Sequence, residues 1–319
     1  MKRNDPLIGK IIESKTGQPI DFQSLIQKIS LYDVIYLSEK HDNPDQHAFQ
    51  LKVIEALIKE GAKTGETPSI GFEFFSMDNT PDLLNFVDAG KVEHSKKIDG
   101  FIEKDLRMKL GWNNQPDVMW QYYYDLLKLA QVQKLSCAGI DLSSTLRKRI
   151  TKKGIDGITA IEKEQIFSTQ QPDDTYKAYM FSIFKSVHCG MGHEKMQSRL
   201  YDTWVARNDK MALSISQMHT HGNGPVVVIL GGGHTEYNLG VIDRVTAINK
   251  NIKQVNIALT EITVNPSKLS DYLFPLDLEG YDKVPPADFL WFTQRVSYEN
   301  PCEKFKKSLA KMKETAGKK

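Results

Sequence analysis

The stretch Asp33-Val34-Ile35-Tyr36-Leu37-Ser38-Glu39-Lys40-His41-Asp42-Asn43-Pro44-Asp45 decides how the chain is read. Its apolar first half predicts a buried strand that stops against a run of polar side chains. Asn43-Pro44 then fits a helix start, and Phe49, Val53, Ile54, Leu57 and Ile58 recur at the helical period up to an expected stop at Gly61. Strand, polar turn and helix in that order predict a βαβ unit, and so an α/β protein with a mostly parallel central sheet flanked by helices.

Three further apolar runs repeat the pattern. Ser69-Ile70-Gly71-Phe72 runs into Glu73, Leu135 to Ile140 stops at Asp141, and Pro225 to Leu230 passes through Gly231-Gly232-Gly233 to His234. Open α/β sheets bind ligands beyond the carboxyl ends of their strands, so these polar residues are expected to share one crevice. Leu7 to Ile12 reads as an edge strand with a turn at Gly17-Gln18-Pro19, and Gln254 to Glu261 as a last strand. Helices are expected from Asn79-Thr80-Pro81 and over Gly111 to Val132. Residues 143–218 look almost wholly helical, too long for one crossover, so their first part is read as a smaller all-helical cap. The expected division is 1–142 and 201–265 for the α/β domain, 143–200 for the cap and 266–319 for an extension, whose Phe289-Leu290-Trp291-Phe292 packs on the main domain.

Composition narrows the classes. The 319 residues are 40% hydrophobic and 26% charged, as in an ordinary globular protein, and a net charge of +2 argues against nucleic-acid binding. The basic tail from Lys304 to Lys319 reads as a solvated, fraying helix, with an anionic-membrane contact as the alternative. Three cysteines without CxxC spacing argue against a disulfide framework or a zinc-thiolate knuckle, and Cys137 reads as a core residue. No apolar stretch suits a signal peptide or a transmembrane segment, so the chain as written is expected in the cytoplasm.

The chemistry-bearing side chains are read one by one. Glu39 and His41 stand two apart in extended chain and face one side, as metal ligands or as an acid–base pair. The alternative is a turn in which Asp42 and Asn43 cap the next helix while His41 sits in solvent. Glu73 follows an apolar strand, where a carboxylate needs a partner; a salt bridge to a cap lysine or arginine is the plainer reading. His234 follows glycines that allow close backbone approach, or sits in a tight turn. Asp141 reads as a helix cap. Arg207 shares a helix face with Met211 and can reach Glu39 or Glu73, or pair on the surface. His47 lies near the crevice mouth as a peripheral ligand. The Trp120 to Tyr124 cluster reads as core, with one tyrosine free to reach a ligand.

Taken together these segments resemble the ChaN-like haem-binding family, part of a wider group with erythromycin esterase and the Tiki and TraB-type proteins. Tyr36 to His47 resembles the family's opening "LGExHDNPxHH" block, and Gly71 to Phe75 its second carboxylate strand. Gly111-Trp112 with Trp120 and Tyr124 resembles the segment before the third strand. Arg207-Asn208 with Met211-Ala212 resembles a helix block, and Gly231 to His234 the closing histidine block. Ser38 stands where the family has glycine, and Gln46 where it has the first histidine of a pair. The resemblance implies haem binding and iron uptake, with His41, His47, His234 and Tyr124 as axial candidates and Arg207 in the cofactor site. It also leaves open a homodimer holding haem at a subunit contact, and envelope association, because family members are often exported lipoproteins. A hydrolase, an esterase or peptidase, is the alternative: a divalent metal on Glu39, His41, Glu73 and His234, or His41 as general base. A non-catalytic scaffold with a vestigial cleft is the third reading.

Overall fold

A short hairpin, β1 (Ile11–Glu13) and β2 (Gln18–Ile20), leads through α1 (Phe22–Ile29) into β3 (Val34–Glu39). There follow α2 (Pro44–Thr64), β4 (Ser69–Ser76), α3 (Thr80–Asp88), α4 (Lys96–Lys109), α5 (Asp117–Gln133) and β5 (Cys137–Asp141). Next come α6 (Ser144–Lys153), α7 (Ala160–Ile166), α8 (Asp174–Val187), α9 (Glu194–His221), β6 (Val226–Gly231) and α10 (Val241–Ile248). The last elements are β7 (Gln254–Glu261), α11 (Leu269–Tyr272) and β8 (Phe289–Thr293). This computed structural model describes residues 4–89, 96–167, 169, 174–190, 193–265, 268–300, 302–303 and 306–307. The basic tail therefore lies almost wholly outside the described residues, as do Gln171-Pro172 and Met191-Gly192.

The strands form one sheet in the order β2-β1-β8-β7-β3-β6-β4-β5. The run from β8 to β5 is parallel, and β1 pairs antiparallel with both β2 and β8. The expected α/β class holds. On one face Val53, Ile54 and Leu57 of α2 and Tyr123 and Leu127 of α5 bury against Ile35, Leu37 and Phe72. On the other, Met211 and Ile215 of α9 and Val241 and Val245 of α10 bury against Val34, Tyr36 and Val228. The crossover from β3 to β4 runs one way along the sheet and that from β6 to β7 the other. Right-handed crossovers then place α2 and α10 on opposite faces. A crevice is left between the carboxyl ends of β3 and β6, the topological switch point of an open sheet.

Local differences from the sequence reading have local causes. Helix α2 runs past Gly61 because Gly65, at φ 80°, supplies the left-handed cap that ends it. The strand expected from Leu7 starts only at Ile11, and it is not an edge, since β1 lies between β2 and β8. Phe289 to Phe292 does more than pack on the domain: it joins the sheet beside β7. Helices α6 to α8 form a cap against α9, through Leu142, Ile150, Ile158 and Ala206 and through Met180 and Phe184. Helix α9 itself is continuous from 194 to 221, across the point where the sequence reading divides cap from sheet. No described helix is long and apolar enough to cross a membrane.

The cysteine reading is corrected. Cys189, in the turn between α8 and α9, is bonded to Cys302, 113 positions on, while Cys137 is free and buried. An odd cysteine count and the lack of CxxC carry no information about a pair that only the tertiary fold brings together. Protein purified without reductant and then denatured should expose one reactive thiol per chain, rising to all 3 cysteines after reduction. Full reactivity before reduction would contradict the pairing.

Candidate functional site

Glu39 ends β3 on the face covered by α2 and α5, and it is buried. Its Oε1 accepts from the Tyr123 hydroxyl at 2.5 Å and lies 3.1 Å from His41 Nδ1, while Oε2 accepts from Gln50 Nε2 at 2.5 Å. An ionised carboxylate only accepts, so the His41 proton sits on Nδ1 and Nε2 is left as the second ring nitrogen. Asn43 caps α2, accepting from the Asp45 and Gln46 amides, and Pro44 occupies the first turn. That cap sets the helical phase that points Gln50 and His47 at the carboxylate. The capping turn and the Glu39–His41 pair are thus both present.

Glu73 arrives from the opposite face. It stands where the regular register of β4 breaks, just past the last residue paired with β6, Phe72. The strand continues to Ser76 rather than ending at Glu73. Glu73 Oε1 takes Arg207 Nη2 at 2.5 Å, and Oε2 takes the Gly231 amide at 2.6 Å. Arg207 also gives its Nε to Asp141, at 2.9 and 3.1 Å from the two oxygens. Asp141 is therefore a partner for arginine, and Ser143 caps α6 in its place. His234 is buried with its ring stacked on Trp204 at 4.1 Å and its Nε2 3.3 Å from Glu73. The glycines before it allow this convergence: a Cβ on Gly231 would lie 2.7 Å from His41 Cε1 and 3.4 Å from Glu73 Oε2. Glu39, His41, Glu73, His234 and Arg207 thus gather at the switch point.

His47 and Tyr124 stand elsewhere in this arrangement. His47 is buried, its Nδ1 3.0 Å from Gln50 Oε1 and its Nε2 3.0 Å from the His41 carbonyl, so both ring nitrogens are engaged. Tyr124 stacks on Trp120 at 5.5 Å, and its neighbour Tyr123 is the tyrosine that reaches the cluster. Tyr123 and Gln50 were missed in the sequence. Gln50 had left a signal, as a polar residue on the apolar stripe of α2 beside Val53, Ile54 and Leu57. Ser38 faces the other way, lying 2.6 Å from both Thr235 Oγ1 and Asn256 Oδ1, and does not narrow the cluster.

The charges settle into a definite pattern. Burial opposes protonation of His41, yet the Glu39 hydrogen bond and the charges of Glu73 and Glu39 outweigh it and raise its pKa above the usual 6.5. For His234 burial wins and lowers the pKa, despite Glu73. Asn208 fits a neutral ring. Its amide lies 2.5 Å from His234 Nδ1 and its Nδ2 is buried without a partner, so an amide turned end for end donates to Nδ1. Burial would raise Glu73, and His234 and Arg207 hold it well below the carboxylate range. A neutral His234 supplies a hydrogen bond rather than a charge, so the charges that lower Glu73 are those of Arg207 and His41. Asp141 is raised because burial outweighs its share of Arg207.

Around the cluster lies a cavity of about 580 Å³, lined by His41, Glu73, Asp141 and Arg207, with Phe74, Leu110 and Trp112 as apolar wall and Lys109 and Arg147 as cations. That volume is ordinary for a small-molecule site. Among the described residues no three His, Cys, Asp or Glu side chains are placed to hold a metal ion. The reason is visible: Tyr123, Gln50, Arg207 and the Gly231 amide occupy the carboxylate oxygens. The divalent-metal expectation therefore finds no support.

Fold and cluster define an α/β protein whose carboxylates and histidines meet at a sheet switch point. The family described as haem-binding uptake, Tiki superfamily, ChaN, matches residues 25–245, and the chain belongs to that family. Among solved structures, it is similar to ChaN of Campylobacter jejuni, described with cofacial haem binding. The TM-score is 0.63 at 16% identity, covering 88% of this chain and 95% of that one, a likeness of fold. The type III effector HopBA1 aligns with a TM-score of 0.41 at 12% identity over 85% and 91% of the chains. An erythromycin esterase mutant, EreC, in its open conformation aligns with 0.43 at 11% over 79% and 76%. No curated protein matches.

The sign of the His41 shift gives a test. A histidine whose folded pKa is raised adds stability that is complete below the unfolded value and lost as pH rises through the folded one. Glu39→Gln should lower the His41 titration midpoint in NMR and cost more stability at about pH 6 than at about pH 8.5. A midpoint unchanged by the substitution would contradict the Nδ1–carboxylate pairing.

Proposed function

We propose that the protein binds haem in the cavity beside the cluster, where His41 Nε2 would hold its iron. The observation that carries this reading is the state of His41. Its Nδ1 is tied to Glu39, its Nε2 makes no hydrogen bond among the described residues, and its side chain is 41% exposed on a cavity wall. A carboxylate on the far nitrogen fixes the tautomer and raises the basicity of the ligating one. The remaining lining suits the group: Phe74, Leu110 and Trp112 give an apolar wall for a macrocycle, and Lys109 and Arg147, paired with Asp105 at 2.8 Å and Asp141 at 3.2 Å, bring positive charge to the rim where its propionates would lie. When bound, haem would supply an iron that a neutral imidazole nitrogen can ligate.

The other residues act through this one. Tyr123, Gln50 and His47 hold Glu39, while Arg207 and His234 hold Glu73 beside the His41 ring. The buried His234 and the engaged His47 are placed to brace rather than to ligate, and Tyr124 to pack. Family membership supports a role in haem handling, with iron uptake as its natural setting. A hydrolase is the less favoured reading, because no described group is placed to hold a metal and the carboxylates are already saturated by donors.

Titrating the protein with haemin should shift the Soret band, and His41→Ala should remove the shift or weaken binding tenfold or more. Glu39→Gln should cost about 10–100-fold, as outer-sphere partners of metal ligands do. A proton on Nε2 competes with iron, so affinity should fall as pH drops through the raised His41 midpoint. A missing shift, or one identical in His41→Ala, would remove the proposal.

A further inference from the structure

Strand β5 ends the sheet, so among the described residues no strand pairs with its outer side. A cavity of about 370 Å³ opens along that edge, between the start of α3 and the last turns of α9. It shares no lining residue with the His41 cavity. Its volume is within the range of small-molecule sites.

The lining limits what can enter. Among the described residues it holds no aspartate, glutamate, lysine or arginine, and Met77, Leu84, Ala138 and Met218 supply apolar surface. Burial pushes the Cys137 thiol up, so it stays uncharged. Such a wall returns nothing to an ion for its lost hydration, and the fitting occupant is neutral.

Most polar side chains of the lining are already engaged or wet. Thr80 Oγ1 accepts from the Gly139 amide at 3.2 Å, and Ser214 Oγ donates to the Ile140 and Lys210 carbonyls, at 3.2 and 2.9 Å. Ser136, Gln217 and His221 are exposed to water. Ser69 differs. It is 7% exposed, and its Oγ is buried without a hydrogen bond among the described residues.

The strand sets the direction of that hydroxyl. Ser69 and Gly71 stand two apart in β4 and share a face. A Cβ on Gly71 would lie 3.4 Å from Met218 Sδ, so this face is turned to the α9 wall of the cavity. A buried hydroxyl left without a partner costs free energy, and a ligand hydroxyl can both donate to it and accept from it. The Met218 thioether beside it favours an aromatic ring.

We infer that this cavity binds a small uncharged aromatic alcohol, its hydroxyl on Ser69 Oγ and its ring against Met218 and Leu84. The site stands without the haem reading.

The test titrates the isotopically labelled full chain with phenol and, in parallel, with toluene, in which a methyl replaces the hydroxyl. Phenol should shift the amide signals of Ala138 and Gly139 saturably. Ser69→Ala should weaken phenol by about tenfold, a change of about 1.4 kcal/mol, and leave toluene no weaker than in the wild type. The variant loses only an unpartnered hydroxyl, so it should keep the wild-type melting temperature and haemin titration. A phenol affinity unchanged in Ser69→Ala, or an equal loss for phenol and toluene, overturns the inference. So does the lack of any saturable phenol shift, which would leave Ser69 to water alone.

Discussion

One guanidinium holds two neighbouring strands together at the crevice. Arg207 reaches across from α9 to Glu73 on β4 and Asp141 on β5, both nearly inaccessible to water. Two buried carboxylates that share a neighbourhood repel each other and lose their hydration; a forked, permanently charged donor is the side chain that answers both at once. Breaking a buried ion pair typically costs about 3–5 kcal/mol; without Arg207, Glu73 would keep the Gly231 amide and Asp141 would keep Arg147. The same helix, α9, also brings Trp204 and Asn208 to frame His234. The cap packs on the same helix, so the cleft wall and the charge pair are set by one element.

The cluster is best understood by counting which valences are closed. Glu39 is closed by Tyr123, Gln50 and His41, and Glu73 by Arg207, the Gly231 amide and His234. His47 and His234 have both ring nitrogens in contact with partners. What remains is the Nε2 of His41, on a ring held between two carboxylates at a cavity wall. A site saturated with donors is poorly suited to a divalent cation, which needs those same oxygens. It suits a ligand that brings its own four equatorial donors and asks the protein for an axial one, as haem does.

Much of this was legible in the sequence, for a physical reason. A buried parallel strand must be apolar along its length, so the point where it turns polar marks the crevice, and Glu39, Asp141 and His234 could be read off in that way. Glu73 was legible as a residue but not as a place, because the irregularity of β4 depends on its pairing partners. Tyr123 and Tyr124 cannot be told apart by composition; only the phase of α5 against the sheet decides which one points at Glu39. The Cys189–Cys302 bond and the parallel pairing of β8 with β7 join segments that are distant in the chain, and no local pattern announces either. Gln50 was readable and was passed over: a lone amide on an apolar helical stripe signals a buried polar partner.

The central claim is that His41, oriented by Glu39, is the atom that meets iron. The most direct measurement is the magnetic hyperfine coupling between ferric haem and isotopically labelled histidine nitrogen in the complex. An axial imidazole coupling that is present in the wild type and absent in His41→Ala is the expected result. A coupling that survives the substitution, or a complex with no histidine nitrogen on iron, would contradict it.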